Sequence, residues 1–322
     1  MLARGSLFRR HRRNPIITAA DLAYPANTVF NPGAAAVDGE TLLLIRVEDL
    51  RGISHLTVAR SPNGVDDWLI DAEPSLRSAP DRHPEELWGI EDPRLTWLEE
   101  EQAWAVAYTA YSQTGPLVSL ALTSDFRTFR RLGAVLPPEN KDAALFPRRF
   151  DGRWAIIHRP TPLRGGASMW ISYSPDLRHW GELTLLLEAR DGAWWDAHKV
   201  GLGPPPLETA EGWLVMYHGV HQTAAGGLYR VGLALLDLAD PRVVLRRSDE
   251  WVMGPSEPYE RDGDVGGVVF PCGWVLDAAA DQLRVYYGAA DSTVALATAS
   301  LSEVLEYLRE CPAPERRGVM AG

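Results

Sequence analysis

The heptapeptide WGIEDPR, residues 88–94, sets two adjacent carboxylates between a glycine and a proline-arginine pair. Gly89 frees the backbone before them. Pro93, with no N–H for a central ladder, predicts that a strand finishes at Glu91–Asp92 and a loop begins. A carboxylate mounted there suits general acid-base work if the scaffold aims it into a cleft. Other polar residues stand at comparable breaks: Asn31 in VFNPG, Arg46 and Arg51 in LLLIRVEDLRG, Lys141 in NKDAALFP, Arg159 in IIHRP, Lys199 in DAHKVG, His218 in VMYHGV, Tyr229, and Asp291 in YYGAADS. Taken singly, each has a plainer account. An Arg or Lys beside a strand end is usually solvated or paired with a neighbouring carboxylate, His218 after WLVMY fits a satisfied structural histidine, and Asp92 fits a turn-former capped by Arg94. Taken together, the cations suit an anion and Asp92 suits an acid.

Several chemistries are missing. No His/Cys/Asp cluster has metal-ligand spacing, no serine occupies a nucleophile elbow and no glycine-rich phosphate loop opens a helix, so neither a metal nor an organic cofactor is expected. The formal net charge of −11 weighs against nucleic acid as the main partner, though it leaves room for a local basic pocket. Two cysteines, Cys272 and Cys311, are too few for a disulfide framework and fit a reducing compartment. The basic start MLARGSLFRRHRRNP is followed by no apolar segment, and no run approaches the roughly 18 apolar residues of a membrane span. The expectation is therefore a cytoplasmic protein with no membrane partner, its self-association left open.

The elements that must position these residues read as strands. The chain of 322 residues, 46% hydrophobic, is long enough for a large core. Short apolar or alternating runs such as TLLLIRVED, AWAVAYTAYS, WAIIHRP, WLVMYHGV and LRVYYGAAD are broken by Gly, Pro, Asp and Asn, which indicates an all-β fold. Helical periodicity is clear once, at LSEVLEYLREC near the C-terminus. Three stretches, ARSPNGVDDW (59–68), LTSDFRTF (122–129) and SYSPDLRHW (172–180), share a small polar residue, an Asx turn and a closing aromatic, and looser echoes follow at ALLDLADP and ATASLSEV. Their spacing of roughly 50–65 residues suits four antiparallel strands, so five echoes predict a five-bladed β-propeller with a short C-terminal helix. With no linker in view, the expectation is a single domain over 1–322, its core at about 15–310. A propeller gathers loops from every blade at one mouth of its channel. Most of the twelve tryptophans and ten tyrosines are then blade packing, with Trp88, Tyr111 and Trp195 as candidates either for packing or for sugar stacking.

In family order over about residues 27–305, the stretches VFNPGAA, LLLIRVEDLRG, GIEDPRLT, NKDAALFPRRFDGRWAIIHRP, WDAHKVGLGPPPLETAEGWLVMYHGV, YRVGLALLDL and VYYGAADSTVALA resemble glycoside hydrolase family 130, the inverting β-mannoside phosphorylases. The resemblance implies a five-bladed propeller that reversibly phosphorolyses β-mannooligosaccharides to α-D-mannose 1-phosphate. Inorganic phosphate is then the co-substrate, and the compact branch that this chain resembles favours β-1,4 over β-1,2 linkages. It implies Asp92 as the catalytic acid, acting through the mannose 3-hydroxyl as a proton relay. Arg159, Lys199, His218 and Tyr229 match the phosphate-binding set, with Lys141 where other members carry Arg. Asn31, Arg46, Arg51 and Asp291 match groups around the nonreducing mannose. Two departures stand out: Pro32 replaces a Ser found in some members, and the Lys141–Asp142 pair replaces Arg-Asn. The physical reading agrees, because an inverting hydrolase needs two carboxylates about 6.5–9.5 Å apart to activate water, whereas phosphate arrives anionic and needs only a cationic cradle. A phosphate-independent β-mannosidase using Glu91 and Glu48, and a non-catalytic carbohydrate-binding propeller, are the alternatives.

Overall fold

The computed structural model describes residues 7–162, 165–224 and 226–314. Its strands form five antiparallel sheets, four of them meanders in chain order and the fifth completed by a strand from the start of the chain. The innermost strands are Thr28–Val37, Ile90–Leu98, Asn140–Leu145, Lys199–Leu202 and Val269–Asp277, and they open blades I to V respectively. The second strands are Glu40–Glu48, Ala103–Ser112, Trp154–Pro160, Gly212–Thr223 and Gln282–Ala289.

Why the second strands read as unbroken apolar runs follows from the packing. In blade I, Leu42 and Leu44 point into a cluster shared with Val106 and Tyr108 of blade II, while Leu43 and Ile45 point into a cluster shared with Tyr286 and Leu296 of blade V. Successive side chains leave opposite faces of a strand, and here both faces are covered by a neighbouring blade. Corresponding clusters fill the clefts between blades II and III, III and IV, and IV and V. Truncating one such leucine to alanine costs about 2–5 kcal/mol.

The repeated turn marks the same place in four of the blades, the end of the third strand. The side-chain oxygen of Asn63 accepts from the amides of Val65 and Asp66, that of Asp125 from Arg127 and Thr128, that of Asp176 from Arg178 and His179, and that of Asp237 from Ala239 and Asp240. Such Asx bonds imitate a backbone turn and send the chain into the fourth strand. The fifth echo departs from this pattern. Ser300 Oγ accepts from the Glu303 amide and caps the helix Leu301–Glu310. The fourth strand of blade V is instead Arg9–Arg10, which pairs with Thr298 and Ala297. Asn14 secures the closure by exchanging bonds of 2.9 Å with the backbone of Leu296 in both directions, and Arg10 Nε donates to Glu260 Oε1 at 2.6 Å. Leu7 and Phe8 are buried in the cluster between blades IV and V. The core therefore starts ahead of residue 15, because ring closure recruits a segment whose own sequence is too short and polar to read as a strand.

Candidate active site

Three inner strands share one irregularity. Their register slips between Phe30 and Gly33, between Glu91 and Arg94, and between Lys141 and Ala144. Inside each slip stands an Asx residue with left-handed backbone: Asn31 at φ 45°, Asp92 at φ 50° and Asp142 at φ 54°. Asn and Asp tolerate that conformation better than other non-glycine residues, and a bulge re-aims the side chain it carries. Pro93 accordingly does not end the strand, which runs on to Leu98; the bulge absorbs its missing N–H.

The bulge separates the two acids of the EDPR stretch. Asp92 is buried, and its Oδ1 accepts from Asn31 Nδ2 at 2.9 Å and Arg46 Nη1 at 3.0 Å, leaving Oδ2 as the oxygen for a proton. Its main-chain carbonyl accepts from Arg94 Nη1 at 3.0 Å. Arg94, only 1% exposed, spends Nε on Gly203 O and Nη2 on Leu202 O, so it ties blade II to blade IV. Burial pushes the Asp92 carboxyl up, but the charges of Arg46, Lys141 and Arg94 and the Asn31 bond outweigh it and hold the group below the usual carboxylate range. Glu91 turns to other partners, with Oε1 3.2 Å from Arg46 Nη2 and Oε2 3.9 Å from Lys141 Nζ. Behind Asn31 the space is filled: a Cβ on Gly288 would lie 2.0 Å from Asn31 Oδ1.

Opposite this group stand the cations. Lys141 and Arg159 are direct cross-strand partners in blade III, an arrangement of like charges that costs stability unless anions compensate. In blade IV, Lys199 pairs with Val220 and Val220 with Tyr229, a lateral row that lets Lys199 Nζ donate to Tyr229 Oη at 2.9 Å. No carboxylate among the described residues lies within 4.0 Å of Lys199 Nζ, and burial, aided by the charge of Arg159, pulls its pKa down to about 8. His218 is buried against Phe270, ring centroids 4.6 Å apart, and burial pushes it down to about 3, so its ring is neutral. Asp142 knits the set together. Arg159 Nε donates to its Oδ2 at 2.6 Å, with His218 Nε2 3.6 Å from the same oxygen and Arg94 Nη2 3.7 Å from Oδ1. Although burial acts the other way, the charges of Arg159 and Arg94 keep this carboxyl far below its usual range. Gly201 is required here, since a Cβ would meet Asp142 Oδ2 and His218 Cε1 at 2.4 Å each.

These groups line one cavity of about 120 Å³. Asn31, Arg46, Asp92, Lys141, Arg159, Lys199, His218, Tyr229 and Asp291 all face it. Asp291, in the turn after Ala289, is pushed up to about 6, first by burial and then by the charge of Asp92. A larger groove of about 350 Å³, between residues 13–21 and 65–70, shares no residue with it.

A family model described as beta-1,4-mannooligosaccharide phosphorylase matches residues 10–310. The chain belongs to glycoside hydrolase family 130. It is 32% identical to a Beta-1,4-mannooligosaccharide phosphorylase of Ruminococcus albus, over 93% of this chain and 90% of the relative. It is also 32% identical to a Beta-1,2-mannobiose phosphorylase of Listeria innocua, over 93% of this chain and 98% of the relative. The solved structure of Beta-1,2-mannobiose phosphorylase from Listeria innocua, in complex with beta-1,2-mannobiose, superposes with a TM-score of 0.85 at 32% identity, covering 94% of this chain and 99% of that one.

Against the positions that family 130 resemblance singles out, one residue stands apart. Arg51 has a side chain 75% exposed and clamps Asp49 in its own loop through Nε at 3.0 Å and Nη2 at 2.7 Å; it does not face the cavity. Asp142, Val268 and Phe270 do face it without having been foreseen as site residues. For Asp142 the signal was available: Asn31-Pro, Asp92-Pro and Asp142-Ala occupy the same bulge in consecutive inner strands.

Proposed function

We propose that this family 130 enzyme is a β-mannoside phosphorylase that transfers the nonreducing-end mannosyl group to inorganic phosphate, with inversion, releasing α-D-mannose 1-phosphate. The observation that carries this reading is the cation cluster facing Asp92: Lys141 opposite Arg159, with Lys199 lacking a carboxylate partner among the described residues. An anion bound among them relieves their mutual repulsion. Arg159 offers a planar fork with Nε already fixed on Asp142, Lys199 and Lys141 act as point charges, and Tyr229 and neutral His218 complete the cradle.

In the forward reaction a phosphate oxygen attacks C1 while the C1–O bond to the leaving saccharide breaks. The mannose 3-hydroxyl gives its proton to that leaving oxygen and takes one from Asp92 Oδ2, so the saccharide departs as an alcohol and Asp92 is left ionised. In the free enzyme the surrounding cations favour the ionised Asp92. A phosphate dianion offsets those charges and raises its proton affinity, which couples acid function to arrival of the co-substrate. Asn31, Arg46 and Asp291 are left for the hydroxyls of the transferred mannose. No second protein carboxylate is needed. Glu91 is tied to Arg46 and Lys141, Glu48 accepts from Asn27 Nδ2 at 3.1 Å, and neither lines the cavity, which weighs against the water-activating mannosidase.

Phosphate is the co-substrate in this reading, with no further cofactor. β-1,4-Linked mannooligosaccharides are the preferred substrates, in keeping with the family model's description. The protein acts in the cytoplasm without nucleic acid or membrane, in keeping with its two free cysteines; no helix among the described residues is long and apolar enough to cross a membrane. Incubation with β-1,4- and β-1,2-mannobiose, with and without phosphate, tests the assignment by NMR detection of the sugar phosphate. Equal turnover without phosphate would overturn it.

A further inference from the structure

The cavity around Asp92, about 120 Å³, is small beside the roughly 300–1,000 Å³ of ordinary ligand pockets, so a saccharide longer than the transferred unit must leave across the rim. The site lies where inner strands begin and second strands end, and two exposed aromatics stand on that face beside blade II. Trp88, four residues before Asp92, is 43% exposed, and Tyr111, at the end of the second strand, is 38% exposed. Their rings meet edge to face at 5.3 Å and 72°. They are also fixed. The Trp88 amide donates to Tyr111 O at 2.8 Å and the Tyr111 amide to Gly89 O at 3.1 Å. Gly89 packs so closely on Ser54 that a Cβ would lie 2.7 Å from its backbone, and Ser54 Oγ accepts from Nε of Arg46, which holds Asp92. Four residues of chain span at most about 13 Å, so the ring pair stands within that reach of Asp92, outside the cavity lining and on the same rigid support. Trp195 is different. It stacks on Tyr217 at 5.6 Å and 22° and spends its indole N–H on Asp249 O, so its role is packing.

We infer that Trp88 and Tyr111 form a stacking platform for a sugar unit on the leaving side of the scissile bond, beyond the ring directly attached to it. The enzyme is thereby built for oligosaccharides of three or more units rather than for disaccharides alone. The inference rests on the phosphorylase reading. A rigid aromatic face turned to solvent suits the apolar C–H face of a pyranose, and its edge-to-face partner keeps it oriented while empty. The occupant is a saccharide rather than a protein because the platform is continuous, through Gly89, Ser54 and Arg46, with the group that holds the acid.

The test is phosphorolysis of mannobiose, mannotriose and mannotetraose of one linkage at saturating phosphate, by wild type, Trp88→Ala, Trp88→Phe and Tyr111→Ala. The wild type should favour the trimer over the dimer. Trp88→Ala should lower the trimer-to-dimer ratio of kcat/KM by roughly 3- to 10-fold, chiefly through KM, the range expected for one aromatic contact. Trp88→Phe, which keeps a ring and the local packing, should retain most of the ratio. An unchanged ratio in active variants, or equal losses on dimer and trimer, would overturn the platform while leaving the phosphorylase reading standing. A wild type inactive on every mannobiose with phosphate would overturn that reading and the platform with it.

Discussion

The most direct physical test of the phosphate cradle is the titration of Lys199. Its ammonium group is half-buried, donates to Tyr229 Oη, and has its pKa pulled down to about 8 by burial and the charge of Arg159. If phosphate binds the protonated form, the apparent phosphate KM should scale as one plus the ratio of neutral to charged lysine. That factor is about 1.1 at pH 7, about 2 at pH 8 and about 11 at pH 9, since each pH unit past the pKa is tenfold. Phosphate itself only becomes more fully dianionic over this range, which works the other way. Other groups near the cavity titrate outside it, with Asp291 near 6 and His218 near 3. The assay is initial-rate phosphorolysis at varied phosphate and fixed mannobiose from pH 7 to 9. Lys199→Met should lose the pH dependence and carry a constant penalty of about 1.5–3 kcal/mol, roughly 10- to 150-fold, the cost of one charge-assisted bond. A wild-type phosphate KM that stays flat to pH 9, or a Lys199→Met variant with wild-type phosphate dependence, would refute the assignment of Lys199 to the anion.

Three further outcomes are expected. Asp92→Asn should cut phosphorolysis by roughly 10²–10⁴-fold with little change in Tm, because Asn tolerates the left-handed bulge but carries no proton to give; a Tm loss large enough to explain the inactivity would make Asp92 a turn-former instead. Gly201→Ala should raise the phosphate KM at least tenfold, about 1.4 kcal/mol, because its Cβ would displace both Asp142 and His218; wild-type kinetics in a folded variant would remove the positioning role given to Asp142. Buried His55 and His158, pushed down to about 4, and His218, pushed down to about 3, stay neutral when folded but take protons near pH 6.5 when unfolded. Their contribution is therefore complete above about pH 6.5 and drains on acidification, by about 2 kcal/mol each at pH 5, so Tm should fall from pH 7 to 5 and fall less steeply in His158→Gln.

Which parts of this arrangement the residues disclosed on their own depends on the range over which each was determined. The third-strand turn is decided within about five residues by an Asx side chain bonding its own backbone, so four echoes located their blades, and the fifth located its own through the Ser300 helix cap; the apolar runs such as LLLI located the strands, because packing between blades asks for both faces at once. Blade closure by Arg9–Arg10 escaped because its partner lies nearly 290 residues away and two arginines carry no strand signal of their own. Arg51 misled for the opposite reason: Asp49, two residues back, captures its guanidinium before any tertiary partner reaches it.

Asp142 shows where such reasoning can be extended. As an isolated NKD it suggests only a turn, yet its bulge repeats those of Asn31 and Asp92, and the repeat implies that all three side chains are aimed by the same backbone device toward the channel. What the device cannot specify is the charge each will meet. Asp92 meets Asn31 and Arg46, giving a held acid; Asp142 meets Arg159 and His218, giving a counter-charge that fixes an anion cradle. One local geometry thus serves two chemical ends. The difference lies in the second strands, where Arg46 of blade I faces the acid and Arg159 of blade III is drawn to the cradle. The roles therefore emerge only when the ring closes and brings those arginines to the same channel.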